Sequence, residues 1–496
     1  MQPTKFSETE PSDNRVLGAV EQRGIEPVPE AERTGRPLQL FWVWFAANIS
    51  ILGIPLGATL VALGMNIWQS LIVAIIGAFG SFALVGLISI AGRRGGAPSL
   101  TLSRAIFGVR GNIGPTIVSL CSRLGWETVN TTTAAFALLS LSAIVFNTES
   151  DAHKTPVLAV VCILIFVAFT VAVSGMGHAI LLVVQKYATW VFGALNIFVA
   201  VFLFATVNWT AVADAPAGPA SAMVIGIGTI AAGTGIGWAN AGADMSRYQS
   251  PLAKSGHLVA SAAAGAGIPL VFVIGLGSLL SAGDPSLSGA GDPVAAIRAM
   301  LPSWVAVPYL ITAFGGLLLS NHLSVYSAGL TTLTLGVRLR RVYAVVVDVV
   351  VTTAGSIYFM LIATGFYGPF ITFISLLAVP ITAWVAVFLV DMLRRKTYDA
   401  EGLMDLRSTS TYWYAGGIEW RAFGSWAVAL VVGYLFTTAQ VSADEVWFSG
   451  PFADTWLGHN GLGWVITFVI GAGLYLILGG ARGAGTTIRP KLAARR

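Results

Sequence analysis

The sequence predicts an all-α polytopic membrane protein with about 12 transmembrane helices, and three observations carry that prediction. Only 10% of the 496 residues are charged while 55% are hydrophobic, against roughly one quarter charged in soluble domains. Apolar stretches of about 20 residues, the length that crosses a bilayer, recur from Leu38 onward. The gaps between these stretches alternate between rich and poor in Lys and Arg, as the positive-inside rule requires.

Taken in order, the spans fall near 39–64, 67–91, 112–146, 156–174, 180–207, 221–243, 256–282, 304–335, 342–363, 367–392, 422–440 and 460–480. An even count puts both termini on one side. If that side is the cytoplasm, it holds Lys5 to Arg36, the group Arg93, Arg94, Arg104 and Arg110, then Lys186, Arg247 and Lys254. Arg338, Arg340 and Arg341 follow, then Arg394 to Arg421, and the tail from Arg482. All but three of the 28 Lys and Arg are then inside: Lys154 and Arg298 fall outside, and Arg123 lies within a span. Outer loops carry Asp214, Asp284, Asp292, Asp444, Glu445 and Asp454, while Trp209, Trp447, Trp456 and Trp464 sit where interfacial aromatics belong. The expected setting is the cell membrane, with the lipid bilayer as the chain's first partner. The net charge of +5 does not point to nucleic acid, because the basic residues are dispersed through loops.

Residues 1–37 are polar and mixed in charge, lack the apolar stretch of a signal peptide, and read as a disordered cytoplasmic tail. Cys121 and Cys162 both fall inside spans, which suits free buried thiols rather than a disulfide framework.

Two spans contain breaks. In the first, Asn48-Ile-Ser50-Ile-Leu-Gly53-Ile-Pro55-Leu-Gly57 sets a proline and two glycines near mid-membrane. Proline lacks an N–H and clashes with the carbonyl four residues back, so the helix should open around Gly53. The sixth span is interrupted by Gly233, Gly235 and Gly237, followed by Trp238. Small residues can simply let two helices pack closely. Breaks in corresponding positions of two halves are instead the mark of a transporter's substrate site, because freed backbone groups are tolerated only where they line a cavity. Helices 1–5 (38–207) and 6–10 (220–392) are accordingly expected to be two repeats, inverted because five is odd. A cytoplasmic loop (393–421), two additional helices (422–480) and a basic tail (481–496) complete the chain.

Helix 3 supplies the first chemistry. Trp126 and Asn130 are four residues apart and share a face. An indole beside a carboxamide suits a flat heterocycle, stacked on one and hydrogen-bonded at its edge by the other; the structural alternative is a packed Trp and an interhelical Asn. Arg123 and Glu127 are also four apart and read as an ion pair, with Glu127 as proton carrier the second possibility. Asp348, in helix 9, is expected to pair with nearby cytoplasmic arginines, and Asp244 with Arg247 to form a structural pair at the end of helix 6. In helix 8, Ser320, Ser324 and Ser327 make a polar stripe flanked by Asn321, while His322 reads as an interhelical histidine.

These residues resemble a known family. The run Gly92-Arg-Arg-Gly-Gly-Ala-Pro98…Ser103-Arg-Ala-Ile-Phe-Gly108…Gly111-Asn112 looks like the loop between helices 2 and 3 of nucleobase–cation symporters. Gly125-Trp126…Asn130 and Gly237-Trp238…Ala243-Asp244-Met-Ser-Arg247-Tyr248 match as well, closest to the purine/cytosine permease branch, from about residue 38 to 440. The resemblance implies a LeuT-like fold, Trp126 as a stacking residue and Asn130 as a base-edge partner. The chain departs from the branch where paired asparagines fall at Ser320 and Ser324, and where an acidic position appears as Gln185. Sodium-driven relatives carry hydroxyls where this chain has Leu318 and Leu319, which favours a proton.

The expected function is therefore secondary active import of a nucleobase, of cytosine or purine type, with a cation by alternating access. A carrier for another heterocycle, a vitamin or an amino acid on the same fold is the alternative. Expected substrate-site residues are Trp126, Asn130, Asn48, Ser50, Gly53, Gly235, Trp238, Ser320, Asn321 and Ser324. Candidates for coupling to H+ or Na+ are Glu127, Gly53, Ser320 and Ser324, with no other cofactor. Neither HExxH nor GxSxG occurs, so nothing suggests an enzyme.

Overall fold

The computed structural model describes residues 23–174, 178–289, 292–336, 341–363, 365–441 and 445–479. The first span is two helices, α1a (Pro37–Asn48) and α1b (Gly53–Ala62), bent by 67° at the expected break. Pro37 starts α1a, where its missing N–H costs nothing. Next come α2 (Ile67–Gly95), α3 (Ile113–Phe146), α4 (Pro156–Ser174) and α5 (His178–Ala205). A capping box opens α2: Asn66 Oδ1 accepts from the Gln69 amide at 3.0 Å and Gln69 Oε1 accepts from the Asn66 amide at 3.3 Å. Gly96, with φ of 64°, closes it in the left-handed conformation that glycine supplies.

The sixth span begins as α6a (Ala220–Ala231) and passes through a wide turn at Ala232–Ile236, in which Thr234 leaves helical geometry (φ −131°, ψ −105°). It resumes in two short pieces, α6b (Gly237–Ala239 and Gly242–Ser246). Then follow α7 (Ser255–Gly283), α8 (Ser303–Thr334), α9 (Arg341–Leu361), α10 (Tyr367–Arg394), α11 (Trp420–Leu435) and α12 (Gly463–Ile477). Seven of these helices are long and apolar enough to cross a membrane, and the bent pair α1a/α1b makes an eighth. Four shorter apolar helices bring the described spans to 12. Large apolar side chains such as Ile72, Ile76, Leu164, Phe169 and Val201 point outward, as the lipid-facing surface of such a bundle does.

Close helix packing depends on small residues. A Cβ at Gly57 of α1b would collide with the Ile274 carbonyl of α7, and Ser278 Oγ donates to the Gly57 carbonyl at 3.1 Å. The backbone of α1b therefore lies directly on α7. Helix α12 is tied to α10 by Tyr475, whose hydroxyl donates to Asp391 at 2.9 Å, while Asp391 also holds Arg395 at 2.7 Å.

Two expectations need correction. Helix 11 stops at Leu435 rather than 440, because the chain turns into a hairpin of β1 (Thr438–Gln440) and β2 (Val446–Ser449), where β-branched Thr437, Thr438, Val441 and Val446 suit extended backbone. The N-terminal segment is also not a disordered tail throughout. Residues 1–22 lie outside the described residues, but 23–36 are packed across the ends of α2 and α6b. The Val28 amide donates to the Gly96 carbonyl at 2.8 Å, the Gly35 amide to the Tyr248 carbonyl at 2.9 Å, and Arg33 to the Arg93 carbonyl at 2.7 Å. Val28 itself is buried. Backbone pairing and one apolar anchor hold a segment whose composition is polar. The basic tail 481–496, Arg338 and Arg340 lie outside the described residues.

Candidate functional site

A cavity with about 450 Å³ of empty space, its mouth included, opens between the two broken spans. From α1 it is lined by Ala47, Asn48, Ser50, Leu52, Gly53 and Leu56, and from α3 by Trp126 and Asn130. Gly233 and Trp238 flank the break of α6, Leu270 comes from α7, Ser320 from α8 and Phe370 from α10. No lining side chain is charged.

The polar groups in this wall have defined states. Asn48 Nδ2 is spent on the Trp44 carbonyl at 2.8 Å, within its own helix. Asn130 Nδ2 donates to Asn321 Oδ1 at 3.4 Å, and Asn321 Nδ2 donates on to Thr170 Oγ1 at 3.1 Å. This relay fixes the carboxamide of Asn130 and leaves its Oδ1 buried without a hydrogen-bond partner. An orphaned acceptor of that kind is costly unless a donor reaches it.

The aromatic walls are likewise held in place. Trp126 meets Phe370 edge-on at 5.3 Å, and Phe370 stacks on Phe366 at 6.1 Å. Its indole nitrogen lies so near the α6 break that a Cβ at Gly237 would sit 3.0 Å from it, so only glycine fits there without a shift. Trp238 is packed edge-on against Trp44 at 5.5 Å, with the Arg123 guanidinium 4.5 Å from its ring centre.

Arg123 corrects the sequence reading. It makes no ion pair with Glu127. Its Nη2 donates to the Gly237 carbonyl while the guanidinium covers Trp238. The break in α6 frees that carbonyl, and an aromatic face beside it offers a second attraction for a desolvated cation. Both oxygens of Glu127 are left without a hydrogen-bond partner. Asp348 differs from expectation too: it is buried, and among the described residues no arginine pairs with it.

Of the expected site residues, Asn48, Ser50, Gly53, Trp126, Asn130, Trp238 and Ser320 come together on one cavity. Three do not line it. Gly235 faces α2, its amide donating to Ser81 Oγ at 3.1 Å, because that side of the turn is needed for helix contact. Asn321 stands behind Asn130, and Ser324 lies a turn deeper, beside Glu127. Phe370, Gly233, Leu52, Leu56, Leu270 and Ala47 were not expected; apolar residues in an apolar helix carry no pattern that singles them out. Gln185 donates to the Leu319 carbonyl at 3.1 Å and lies 2.9 Å from His322 Nε2, so it braces α8 rather than reaching the cavity.

Asp244 of α6b ties α6b to the segment that starts at Ser99 and to α8. It accepts from the Ser99 amide at 2.8 Å and from Ser327 Oγ at 2.7 Å, and Ser99 Oγ in turn accepts from the Ala243 amide at 2.9 Å. Arg247 donates to the Tyr326 hydroxyl at 2.9 Å and to the Gly24 carbonyl at 2.6 Å.

A family model for permeases for cytosine/purines, uracil, thiamine and allantoin matches residues 27–462. A Bacillus subtilis (strain 168) protein, YxlA, provisionally assigned as a purine-cytosine permease, is 25% identical over 471 residues, which cover 92% of this chain and 96% of that one. Purine-cytosine permease FCY21 of Saccharomyces cerevisiae is 28% identical over 293 residues, 56% of this chain and 51% of its own. Among solved structures, Mhp1, a nucleobase-cation-symport-1 family transporter in a closed conformation with bromovinylhydantoin bound, has a TM-score of 0.69 at 19% identity, covering 92% of this chain and 95% of that one. That likeness establishes the fold, the helical architecture of the LeuT-type transporters.

Proposed function

Because the chain belongs to the family of permeases for cytosine/purines, uracil, thiamine and allantoin, we propose that it imports a neutral nucleobase of cytosine or purine type together with a cation. One observation carries this reading. The cavity joins two indoles, Trp126 and Trp238, to the carboxamide of Asn130, whose buried Oδ1 has no hydrogen-bond partner, and no charged side chain lines it. A flat, uncharged ring with N–H donors at its edge answers all three features. An amino acid would bring a carboxylate and an ammonium into a wall with no counter-charge, at a cost of several kcal/mol.

The two helix breaks set the cavity between the halves, the arrangement that alternating access requires. The ends bearing Arg93, Arg94, Arg247 and Arg395 then face the cytoplasm of a cell membrane, with the Asp244–Ser99–Ser327 contacts closing that side. One cation moving inward gains ~2.3 kcal/mol per 100 mV of membrane potential, roughly 50-fold accumulation of a neutral base.

The test is uptake into proteoliposomes of labelled cytosine, adenine, hypoxanthine, uracil, thiamine and allantoin, under imposed proton or sodium gradients. The reading predicts uphill accumulation of cytosine or a purine, competed by unlabelled base. Accumulation confined to thiamine or allantoin would overturn the nucleobase assignment, and no gradient-driven accumulation of any of the six would overturn symport.

A further inference from the structure

The cavity does not use the most unusual polar group in the membrane interior. Glu127 has 0% exposure and both oxygens lack a hydrogen-bond partner. Ser324 of α8, also at 0% exposure, has its hydroxyl near enough to act on the Glu127 carboxyl but short of hydrogen-bond geometry. Asp348 of α9, 1% exposed with both oxygens unpartnered, is within electrostatic reach. Helix α9 packs on α3 one residue from Glu127. A Cβ at Gly355 would lie 2.7 Å from Thr128 of α3, and Ser356 Oγ donates to the Thr128 carbonyl at 3.4 Å. Asp348 lies two turns earlier on the same face of α9, by the spacing 348, 352, 356.

The surrounding charges are few. On its own helix Glu127 faces Arg123, which is also under the influence of Asp244 and is engaged with Gly237 and Trp238. From α8 it meets Ser324, while His322 of that helix turns to Gln185. From α9 it feels the charge of Asp348, without a direct hydrogen bond. Two carboxylates thus stand against one guanidinium whose hydrogen bond goes elsewhere. Burying the surplus negative charge in hydrocarbon without a counter-ion is costly, and one proton cancels it.

We propose that Glu127, Ser324 and Asp348 form the site of the co-transported proton, behind Trp126 and apart from the base cavity. The inference rests on the reading of the chain as a cation-coupled importer. A proton from water on the outer side forms an O–H bond with a Glu127 oxygen, and the Ser324 hydroxyl solvates the acid. After the bundle reopens inward, the proton passes by way of Asp348 to water on the other side, and both carboxylates return to their starting state. No electrons are exchanged. Trp126 is the next residue to Glu127, so neutralising that carboxyl is felt where the base stacks.

Two measurements test the proposal. On wild-type protein in liposomes, dicyclohexylcarbodiimide, which adds to protonated carboxyls shielded from water, should modify Glu127 or Asp348, read by peptide mass spectrometry, and labelling should fall as pH rises. Absence of label at both residues across pH 5 to 9 would overturn the proposal without reference to any substrate or variant. In the second, Glu127→Gln and Asp348→Asn are compared with wild type for exchange of labelled cytosine or purine at equal pH, then for accumulation under an acid-outside gradient. The proposal expects exchange to persist while accumulation collapses from tens-fold to onefold. Wild-type exchange with accumulation intact in both variants, or driven by sodium alone, would overturn the proton site and leave the import reading standing. Absence of exchange in wild type would instead refute the import reading.

Discussion

Asn130 and Trp126 supply the proposed site with two different kinds of interaction, and each can be removed separately. The carboxamide of Asn130 is held by Asn321, with Oδ1 free to accept. A neutral hydrogen bond is worth about 0.5–1.5 kcal/mol net, so Asn130→Ala should weaken base binding by roughly 2- to 10-fold and change the order of preference among cytosine, adenine and uracil. Unchanged affinity and order in competition assays would remove Asn130 from the site. Arg123 acts through others: it holds the Gly237 carbonyl and covers Trp238 without lining the cavity. Arg123→Leu should therefore lose base affinity and thermal stability together, with Arg123→Lys recovering part of both; a variant that loses stability alone would make Arg123 purely structural. Four-residue spacing made the shared face of Trp126 and Asn130 legible in the sequence. The same spacing misled for Arg123 and Glu127, because a carbonyl released by a break over a hundred residues away outcompetes a neighbour on the same helix.

At the scale of elements, the breaks in α1 and α6 were readable from Pro55 and the run of glycines, since those residues act on the backbone locally. Which side of each break faces the cavity was not readable: Gly233 lines it, while Gly235 packs on Ser81. The hairpin after α11 was also missed, because Thr437 and Thr438 follow directly on an apolar helix and only their β-branching hints at a strand. The packing of α1b on α7 is testable directly. Gly57→Ala places a methyl against the Ile274 carbonyl, and overpacking of this kind costs typically 1–3 kcal/mol. Gly80→Ala in α2 is the control, because nothing lies within 4 Å of its added methyl. Thermal unfolding in detergent should show the first destabilised and the second unchanged or slightly stabilised. Equal behaviour of the two would contradict the close backbone contact.

The whole molecule follows from where water and lipid meet the chain. Hydropathy and the placement of Lys and Arg made the 12 spans legible, because a bilayer imposes length and charge rules that leave a strong pattern. The strap at residues 23–36 left none, since it is held mostly by backbone hydrogen bonds. Orientation can be checked with Cys121 and Cys162 replaced by Ser. A membrane-impermeant thiol reagent on intact cells should label Lys154→Cys and not Arg407→Cys; the reverse pattern would invert the topology. In the proposed function a heterocyclic base stacks in the cavity between the two broken helices. Stacking is worth about 1–3 kcal/mol per base, roughly 5- to 150-fold in affinity. Equilibrium binding of the bases that the wild type accumulates, compared between wild type and Trp126→Ala, measures it directly. A base stacked on Trp126 predicts a roughly 5- to 150-fold loss in a variant that still unfolds at the wild-type temperature, and unaltered affinity in that variant would rule the stack out.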